Sequence, residues 1–134
     1  MNSEFFPKFL IDTDVLVNYL VLKETAKTTS LIDLMQKGIC FTSVLNASEL
    51  FMIAKSDYQK EKIRDLLNAL KVLGLHSRYS LSIPNCMNRF NNIRDALFYI
   101  LAEQNRLIIV SLNPDHYSGL KVKSLHPQSI IQQY

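Results

Sequence analysis

The sequence predicts an α/β sandwich, a single domain over residues 1–134 built around a mainly parallel sheet. Two observations lead to this prediction. Short apolar runs alternate along the chain with amphipathic helical segments, and no repeat, linker or low-complexity stretch interrupts the alternation. Hydrophobic residues make up 48% of the chain, which is enough for one buried core in a domain of this length.

Five short apolar runs are predicted to form the strands. Residues 107–110, Leu-Ile-Ile-Val, have the composition of a fully buried strand, and residues 9–11 form a strand that ends at Asp12. The other three runs are 39–42, 75–81 and 120–122. Ligands of parallel α/β sheets collect outside the carboxyl ends of the strands, so the residues that follow each strand are the first candidates for a site.

The helices are predicted from apolar residues at helical spacing and from residues typical of helix ends. Ser43 and Asp57 are predicted to cap the helices that follow them, and Gly38 and Gly74 to end the helices that precede them. The five predicted helices are one through 15–20 and four over 29–37, 44–55, 57–73 and 92–105.

Composition narrows the classes of function. No apolar run is long enough to span a membrane, and the first apolar stretch meets Asp12 before a signal-peptide core could form, so we expect a cytoplasmic protein. Cys40 and Cys86 lack metal-ligand spacing and are predicted to be free thiols. Three widely spaced glycines exclude a phosphate loop, and the histidines accompany no nucleophile motif.

Three acidic residues are predicted to converge at one edge of the sheet. Asp12 follows the first strand, and Glu49 lies in an otherwise apolar helical run where a charge needs solvent, a partner or a metal. Asp95 begins a helix that is apolar on most faces, so it is expected to point into a cleft. Asp14 is assigned to capping the first helix. Singly, each acid is also compatible with a solvated or capping role.

Together, three carboxylates would repel one another unless a cation balanced them. Hard oxygen ligands select Mg²⁺ or Mn²⁺, and such ions activate water for displacement at phosphorus. The rest of the chain is basic: when the three acids and Asp14 are set aside, fifteen Lys and Arg face eight acids, a net charge of +7. The acids and the basic remainder indicate phosphodiester hydrolysis, with a merely solvated surface as the alternative.

Four segments resemble the motifs of PIN domains: 9–17, which reads Phe-Leu-Ile-Asp-Thr-Asp-Val-Leu-Val, then 42–50, 94–102 and 107–117. The resemblance implies a three-layer sandwich with a five-stranded sheet in the order 3-2-1-4-5, and the size looks most like VapC-type toxins. It implies a metal-dependent endoribonuclease that leaves a 5′-phosphate. Asp12 and Asp95 would be the principal ligands of Mg²⁺ or Mn²⁺, and Glu49 would ligate the metal or orient the attacking water.

The resemblance also implies a cognate antitoxin and a homodimer, to which Ile130, Ile131 and Tyr134 could contribute a contact. The fourth catalytic position is Asn113 where the family has Asp, which puts a second metal site in doubt; the spacing of Asp115 fits that position poorly.

Other polar residues near these motifs are given ordinary roles. Arg89 and Arg94 are candidates for phosphate contact but are interpreted as solvated charges. His116 is interpreted as an exposed turn residue.

Two other classes of function share features with this sequence. A phosphoacceptor receiver domain needs an Asp at the end of its third strand and a Lys at the end of its fifth, but Asp57 lies between two predicted helices and the strand 107–110 ends in Ser111. A PIN-fold binding module without catalysis is favoured by Asn113 and opposed by the three retained acids. This module stays the alternative to the nuclease.

Overall fold

The computed structural model describes residues 6–23, 30–86, 88–118 and 121–133. Its centre is a sheet of five strands: β1 (Lys8–Ile11), β2 (Ile39–Ser43), β3 (Lys71–Leu73), β4 (Ile108–Val110) and β5 (Ser124–Leu125). Each neighbouring pair is parallel, and the order is β3-β2-β1-β4-β5. The predicted α/β fold and strand order are therefore confirmed.

Six α-helices connect and flank the strands among the described residues: α1 (Thr13–Lys23), α2 (Ser30–Lys37), α3 (Val44–Ile53), α4 (Asp57–Ala69), α5 (Ile93–Gln104) and α6 (Pro127–Gln133). Two 3₁₀ segments, Ser77–Asn85 and Pro114–Tyr117, precede α5 and follow β4. None of the helices in this described part of the chain is long and apolar enough to cross a membrane.

Alternating residues of the central strand β1 face two separate hydrophobic clusters, which makes the fold three layers thick. Phe9 and Ile11 pack with α1 to α4 and α6 on one side, and Leu10 packs with α5 on the other. All three side chains are fully buried, as expected for a parallel strand covered by helices on both faces. This burial fixes the register of β1 and therefore the position of the residues that follow it.

The third strand lies earlier than predicted. The apolar run after α4 predicted a helix to residue 73 and a strand over 75–81, but α4 ends at Ala69 and residues 71–73 form β3. These residues pair with β2, whose free edge would otherwise leave its backbone groups unpaired. Residues 77–85 are 3₁₀ instead of a strand, and Gly74 follows a strand instead of ending a helix.

Smaller differences concern caps and the C-terminal region. Ser56, not Asp57, caps α4, because its Oγ accepts a hydrogen bond from the Gln59 backbone. The last strand is β5, not 120–122; position 120 lies outside the described residues, as does position 29, the predicted start of α2.

The predicted dimer contact is wrong for Ile130, which is fully buried in the core of its own chain, and Tyr134 lies outside the described residues. Cys40 and Cys86 are free thiols, as predicted, and both are buried.

Candidate acidic site at the carboxyl edge of the sheet

Asp12 is fixed at the junction between β1 and α1. Its backbone N–H donates to the Val110 carbonyl, extending the pairing with β4, and its carbonyl accepts from Val15 and Leu16 in the first turn of α1. The side chain is almost completely buried, at 7% exposure for the residue, and its Oδ1 accepts from the Thr13 backbone at 2.8 Å. The carboxylate is therefore held at the carboxyl end of the central strand.

Glu49 reaches the same place from α3, whose start is fixed by a capping box. Ser43 caps the helix as predicted, and the buried Asn46 completes the box by accepting from the Ser43 backbone N–H. The Asn46 amide then donates to Asp12 at 3.3 Å and to Thr13 Oγ1 at 2.9 Å. Thr13 in turn donates its hydroxyl to Glu49 at 2.6 Å, which joins the two carboxylates through one threonine.

Asp95 lies in the first turn of α5, where Asn92 caps the helix. The Asn92 side chain accepts from the Asp95 backbone at 2.8 Å and donates to Asp95 Oδ2 at 3.0 Å. The same Oδ2 lies 2.8 Å from His116 Nε2. As predicted, the Asp95 side chain points into the cleft and is only 16% exposed.

Arg94 connects the three carboxylates. Its Nη2 lies 2.6 Å from Asp12 Oδ1 and 2.8 Å from Glu49 Oε1, and its Nη1 lies 3.2 Å from Asp95 Oδ1. The interpretation of Arg94 as a solvated charge is therefore wrong. A guanidinium is planar and always charged, and here its fork of donors faces the carboxylates that were expected to share a metal.

An aromatic floor supports the guanidinium. The Tyr117 hydroxyl accepts from Arg94 Nη1 at 3.1 Å and donates to Asp12 Oδ2 at 3.2 Å. The Arg94 guanidinium also lies over the Phe98 ring, 4.9 Å from its centroid. Phe98 and Tyr117 are themselves buried, and their ring centroids lie 5.6 Å apart, so the two rings pack together beneath Arg94.

The arrangement changes the ionisation of its members. Burial opposes the charge of Arg94, but the hydrogen bonds that it donates to Glu49 and the charge of Asp12 hold the guanidinium pKa above its usual value. Burial and the neighbouring Asp12 charge raise the pKa of Tyr117, which keeps its proton. Burial also opposes ionisation of Asp95, but its hydrogen bonds with His116 and Asn92 hold that pKa below its usual value.

Asp14 does not cap α1, because it lies inside the first turn of the helix. Its Oδ2 accepts from Ser111 Oγ and from the Leu112 backbone, both at 3.0 Å, and so ties α1 to the end of β4. Burial and the charge of Asp12 raise the Asp14 pKa, and the two hydrogen bonds only partly oppose this rise. The role of Asp14 is therefore to join two elements beside the site.

Asn113 lies at the rim of the site. It is exposed, its backbone N–H donates to Ser111 Oγ at 3.0 Å, and its side chain caps nothing. It lines a shallow depression of about 330 Å³ together with Asp12, Thr13, Asp14, Arg94, Asp95, Ser111, His116 and Tyr117. Asp115 is exposed and does not line this depression.

The fit of these residues to Mg²⁺ or Mn²⁺ is mixed. The donors are hard oxygen atoms of the kind that such ions prefer. Their arrangement does not fit, because the Arg94 guanidinium lies between the three carboxylates and donates a hydrogen bond to an oxygen of each. Within the described ranges, no group of three His, Cys, Asp or Glu side chains is arranged to hold a metal ion. With Arg94 in this position the site is an ion-pair network.

The model of the PIN domain family matches residues 9–119, most of the chain. The chain belongs to the PIN-domain family. No curated protein matches its sequence.

The fold of this PIN domain is also found in solved structures of low sequence identity. One is described as a toxin–antitoxin complex from Klebsiella pneumoniae, with 16% identity and a TM-score of 0.70 over 88% of this chain and 96% of that chain. A second, VapBC2 from Rickettsia felis bound to a DNA fragment from its promoter, has 14% identity and a TM-score of 0.70 over 89% and 97%. A third, DNA-bound VapBC from Salmonella typhimurium, has 13% identity and a TM-score of 0.71 over 91% and 99%.

The structure thus brings Asp12, Glu49 and Asp95 together as predicted and leaves Asn113 at the rim. Sequence reasoning missed Arg94 as the centre of the network and His116 as a partner of Asp95. One signal was available for Arg94: it directly precedes Asp95 in the first turn of an apolar helix, where a second charge also needs a partner. Nothing comparable marks His116, whose position depends on the turn after β4.

Proposed function

We propose that this PIN domain is a metal-dependent endoribonuclease and the toxin of a toxin–antitoxin pair. The observation that supports the nuclease is the convergence of Asp12, Glu49 and Asp95 at the carboxyl edge of a PIN-domain sheet. These residues occupy three different elements, so their meeting is a property of the fold and not of local sequence. Phosphodiester hydrolysis is the reaction that such a cluster of carboxylates serves.

RNA as the substrate is supported by the charge outside the site. When Arg94, its three acids and Asp14 are set aside, fourteen Lys and Arg and eight acids remain elsewhere in the sequence, a net charge of +6. That excess attracts a phosphate backbone over the distance of a Debye length. In the proposed reaction, a bond forms between a water oxygen and phosphorus and the bond from phosphorus to the 3′ oxygen breaks. The 3′ oxygen leaves as a hydroxyl, with the proton that the water gives up in the overall reaction, and the phosphate stays on the 5′ oxygen. Glu49 is proposed to orient the water.

The dependence on Mg²⁺ or Mn²⁺ follows from the chemistry of the donor set, with Asp12, Glu49 and Asp95 as the proposed ligands. No catalytic step is assigned to a metal, because the observed arrangement places Arg94 among these oxygens. The metal requirement is therefore a separate part of the proposal, and it has its own readout in the experiment that follows.

The decisive experiment is RNA cleavage by the purified protein with Mg²⁺, with Mn²⁺ and with EDTA. A pool of structured and unstructured RNA serves as substrate, and the variants are Asp12→Asn and Asp115→Asn. Asp12→Asn keeps the shape of the side chain and removes its charge, whereas Asp115 is an exposed acid outside the depression. We expect metal-dependent cleavage by the wild type and by Asp115→Asn, and none by Asp12→Asn. Cleavage in EDTA would refute the metal requirement alone.

A binding module without catalysis is the second candidate, and one observation favours it. Arg94 already balances part of the carboxylate charge, so the network is satisfied without any reaction. A folded wild-type protein that cleaves no RNA with either metal, yet binds RNA or protein, would identify the chain as such a module. Equal cleavage by wild type and Asp12→Asn would instead point to a contaminating nuclease.

The partner proposals rest on the solved structures. Their described complexes contain an antitoxin, and the structural match covers 96% to 99% of those chains. We propose a cognate antitoxin, a homodimer and a cytoplasmic location. Co-expression with the product of a neighbouring gene and light scattering of the purified protein test the first two. A growth defect relieved by that gene product would support the toxin assignment.

A further inference from the structure

Arg94 is saturated by the site that surrounds it. A guanidinium has five N–H donors. Nε faces Glu49 at 3.1 and 3.2 Å, and Nη1 faces Asp95 and the Tyr117 hydroxyl at 3.2 and 3.1 Å. Nη2 faces Asp12 at 2.6 Å and Glu49 at 2.8 Å. Every N–H therefore has an acceptor from this chain, and no donor remains for a phosphate.

Arg94 balances the site only in part. Three carboxylates against one guanidinium leave a net charge of two negative, before Asp14 is counted. Such a charge still attracts a divalent cation, but Arg94 already holds at least one oxygen of each carboxylate. The guanidinium and a metal ion therefore need the same oxygens of Asp12, Glu49 and Asp95.

We propose that Arg94 is an internal counter-cation that keeps the acidic site closed to divalent ions, and that metal binding displaces its guanidinium. The inference rests on the metal requirement of the proposed function. It concerns regulation of that site: the closed state, with Arg94 inserted, is inactive, and the open state exposes the carboxylates and frees a cation at the entrance. There the displaced guanidinium can contact a phosphate.

The surroundings of Arg94 allow this exchange without a change of fold. The side chain enters from the first turn of α5 and keeps 25% of its surface exposed, so it lies at the mouth of the depression. Rotation about its side-chain bonds carries the guanidinium outward, while the α5 backbone stays fixed by the Asn92 cap. His116 and Asn92 hold Asp95 by Oδ2, whereas Arg94 contacts Oδ1, so two of the contacts of this carboxylate do not involve Arg94.

The test is Mn²⁺ binding, measured by loss of the electron paramagnetic resonance signal of the free ion. The proteins are wild type, Arg94→Gln and the control Arg64→Gln, which removes a surface arginine of α4 that pairs with Glu61 and lies over the Phe51 ring. We expect Arg94→Gln to bind Mn²⁺ with a dissociation constant at least about tenfold lower than wild type, since one unit charge is removed at contact distance. Arg64→Gln should bind as wild type does.

The outcomes separate this inference from the proposed function. Equal Mn²⁺ affinity in wild type and Arg94→Gln overturns the inference and leaves the metal requirement standing. Absence of Mn²⁺ binding in both overturns the inference and the metal requirement together.

Thermal unfolding with and without Mn²⁺ tests the inference even if Arg94→Gln is less stable than wild type. The inference predicts that Mn²⁺ replaces the counter-charge that the variant lacks. The melting temperature of this variant should rise more with Mn²⁺ than that of wild type. An equal or smaller rise overturns the inference.

Discussion

Replacing Asn46 by alanine should destabilise the protein more than any other single change in the capping box of α3. Asn46 is fully buried and makes hydrogen bonds in two directions. Its Oδ1 accepts from the Ser43 backbone N–H at 3.0 Å, and its amide donates to Thr13 Oγ1 at 2.9 Å and to Asp12 at 3.3 Å. One side chain thus joins the end of β2 to the end of β1.

The expected loss in the free energy of unfolding depends on which hydrogen bonds the partners of Asn46 keep in the alanine variant. Thr13 keeps its bond to Glu49, and Asp12 keeps its bonds to Arg94 and to the Thr13 backbone. The backbone N–H of Ser43 is buried and donates to Asn46 Oδ1, so the substitution removes this acceptor where water does not reach. An orphaned buried N–H costs about 1–3 kcal/mol, and the lost amide bonds add about 1 kcal/mol, so we expect a loss of about 2–4 kcal/mol.

Urea unfolding followed by circular dichroism measures this loss, with two companion variants. Ser43→Ala removes a cap but leaves Asn46 Oδ1 on the Ser43 N–H, so it should cost only about 1 kcal/mol. Ser48→Ala alters an exposed residue of the same helix and should change stability by less than about 0.5 kcal/mol. A loss below about 1 kcal/mol for Asn46→Ala, or a larger loss for Ser43→Ala, would refute the reasoning.

Four further changes have expected outcomes. Burial raises the pKa of the Cys40 thiol to about 12, so it should resist alkylation at pH 8 until urea unfolds the protein, as mapped by mass spectrometry. The raised pKa of Asp14 means that the folded state holds its proton more tightly than the unfolded chain, so stability falls as pH rises through that window. Asp14→Asn should therefore raise the melting temperature at pH 7, and the gain should shrink as pH falls toward the ordinary carboxyl range. Arg106 has a φ of 55° just after α5, so Arg106→Gly should stabilise by about 0.5–1 kcal/mol in urea unfolding. Gly38→Ala should lower the melting temperature, because the added methyl group would collide with the Pro7 carbonyl; an unchanged value would contradict the packing seen there.

The fold was predictable where pattern and topology agree. The buried run 107–110 and the helix before it appear nearly as predicted, as β4 and α5. The region around β3 was not predictable, because Leu66, Leu70 and Leu73 continue an apolar spacing that suits a helix. The helix ends before Leu70 because the next residues pair with the edge of β2. This pairing joins segments that are distant in sequence, so the local apolar pattern does not indicate it.

The acidic residues of the site were predictable from the sequence, but the arginine that balances their charge was not. Asp12, Glu49 and Asp95 are marked by their places at strand ends and in apolar runs. The sequence pattern does not show which cation balances the charge of these carboxylates. Arg94 differs from exposed arginines only in where its side chain points, and that depends on packing over Phe98 that no local pattern encodes.

The Arg94 network also bears on the order of events during folding. Asp12 and Arg94 are separated by 82 positions in the sequence, so they meet only when β4 and α5 have docked beside β1. Contacts this distant in sequence form only after the loop between them closes, at a cost in conformational entropy. In the folded state, the counter-charge of Asp12 and Glu49 therefore comes from the same chain. Newly synthesised protein can reach its native state before it encounters any metal ion, and refolding rates should not depend on chelators.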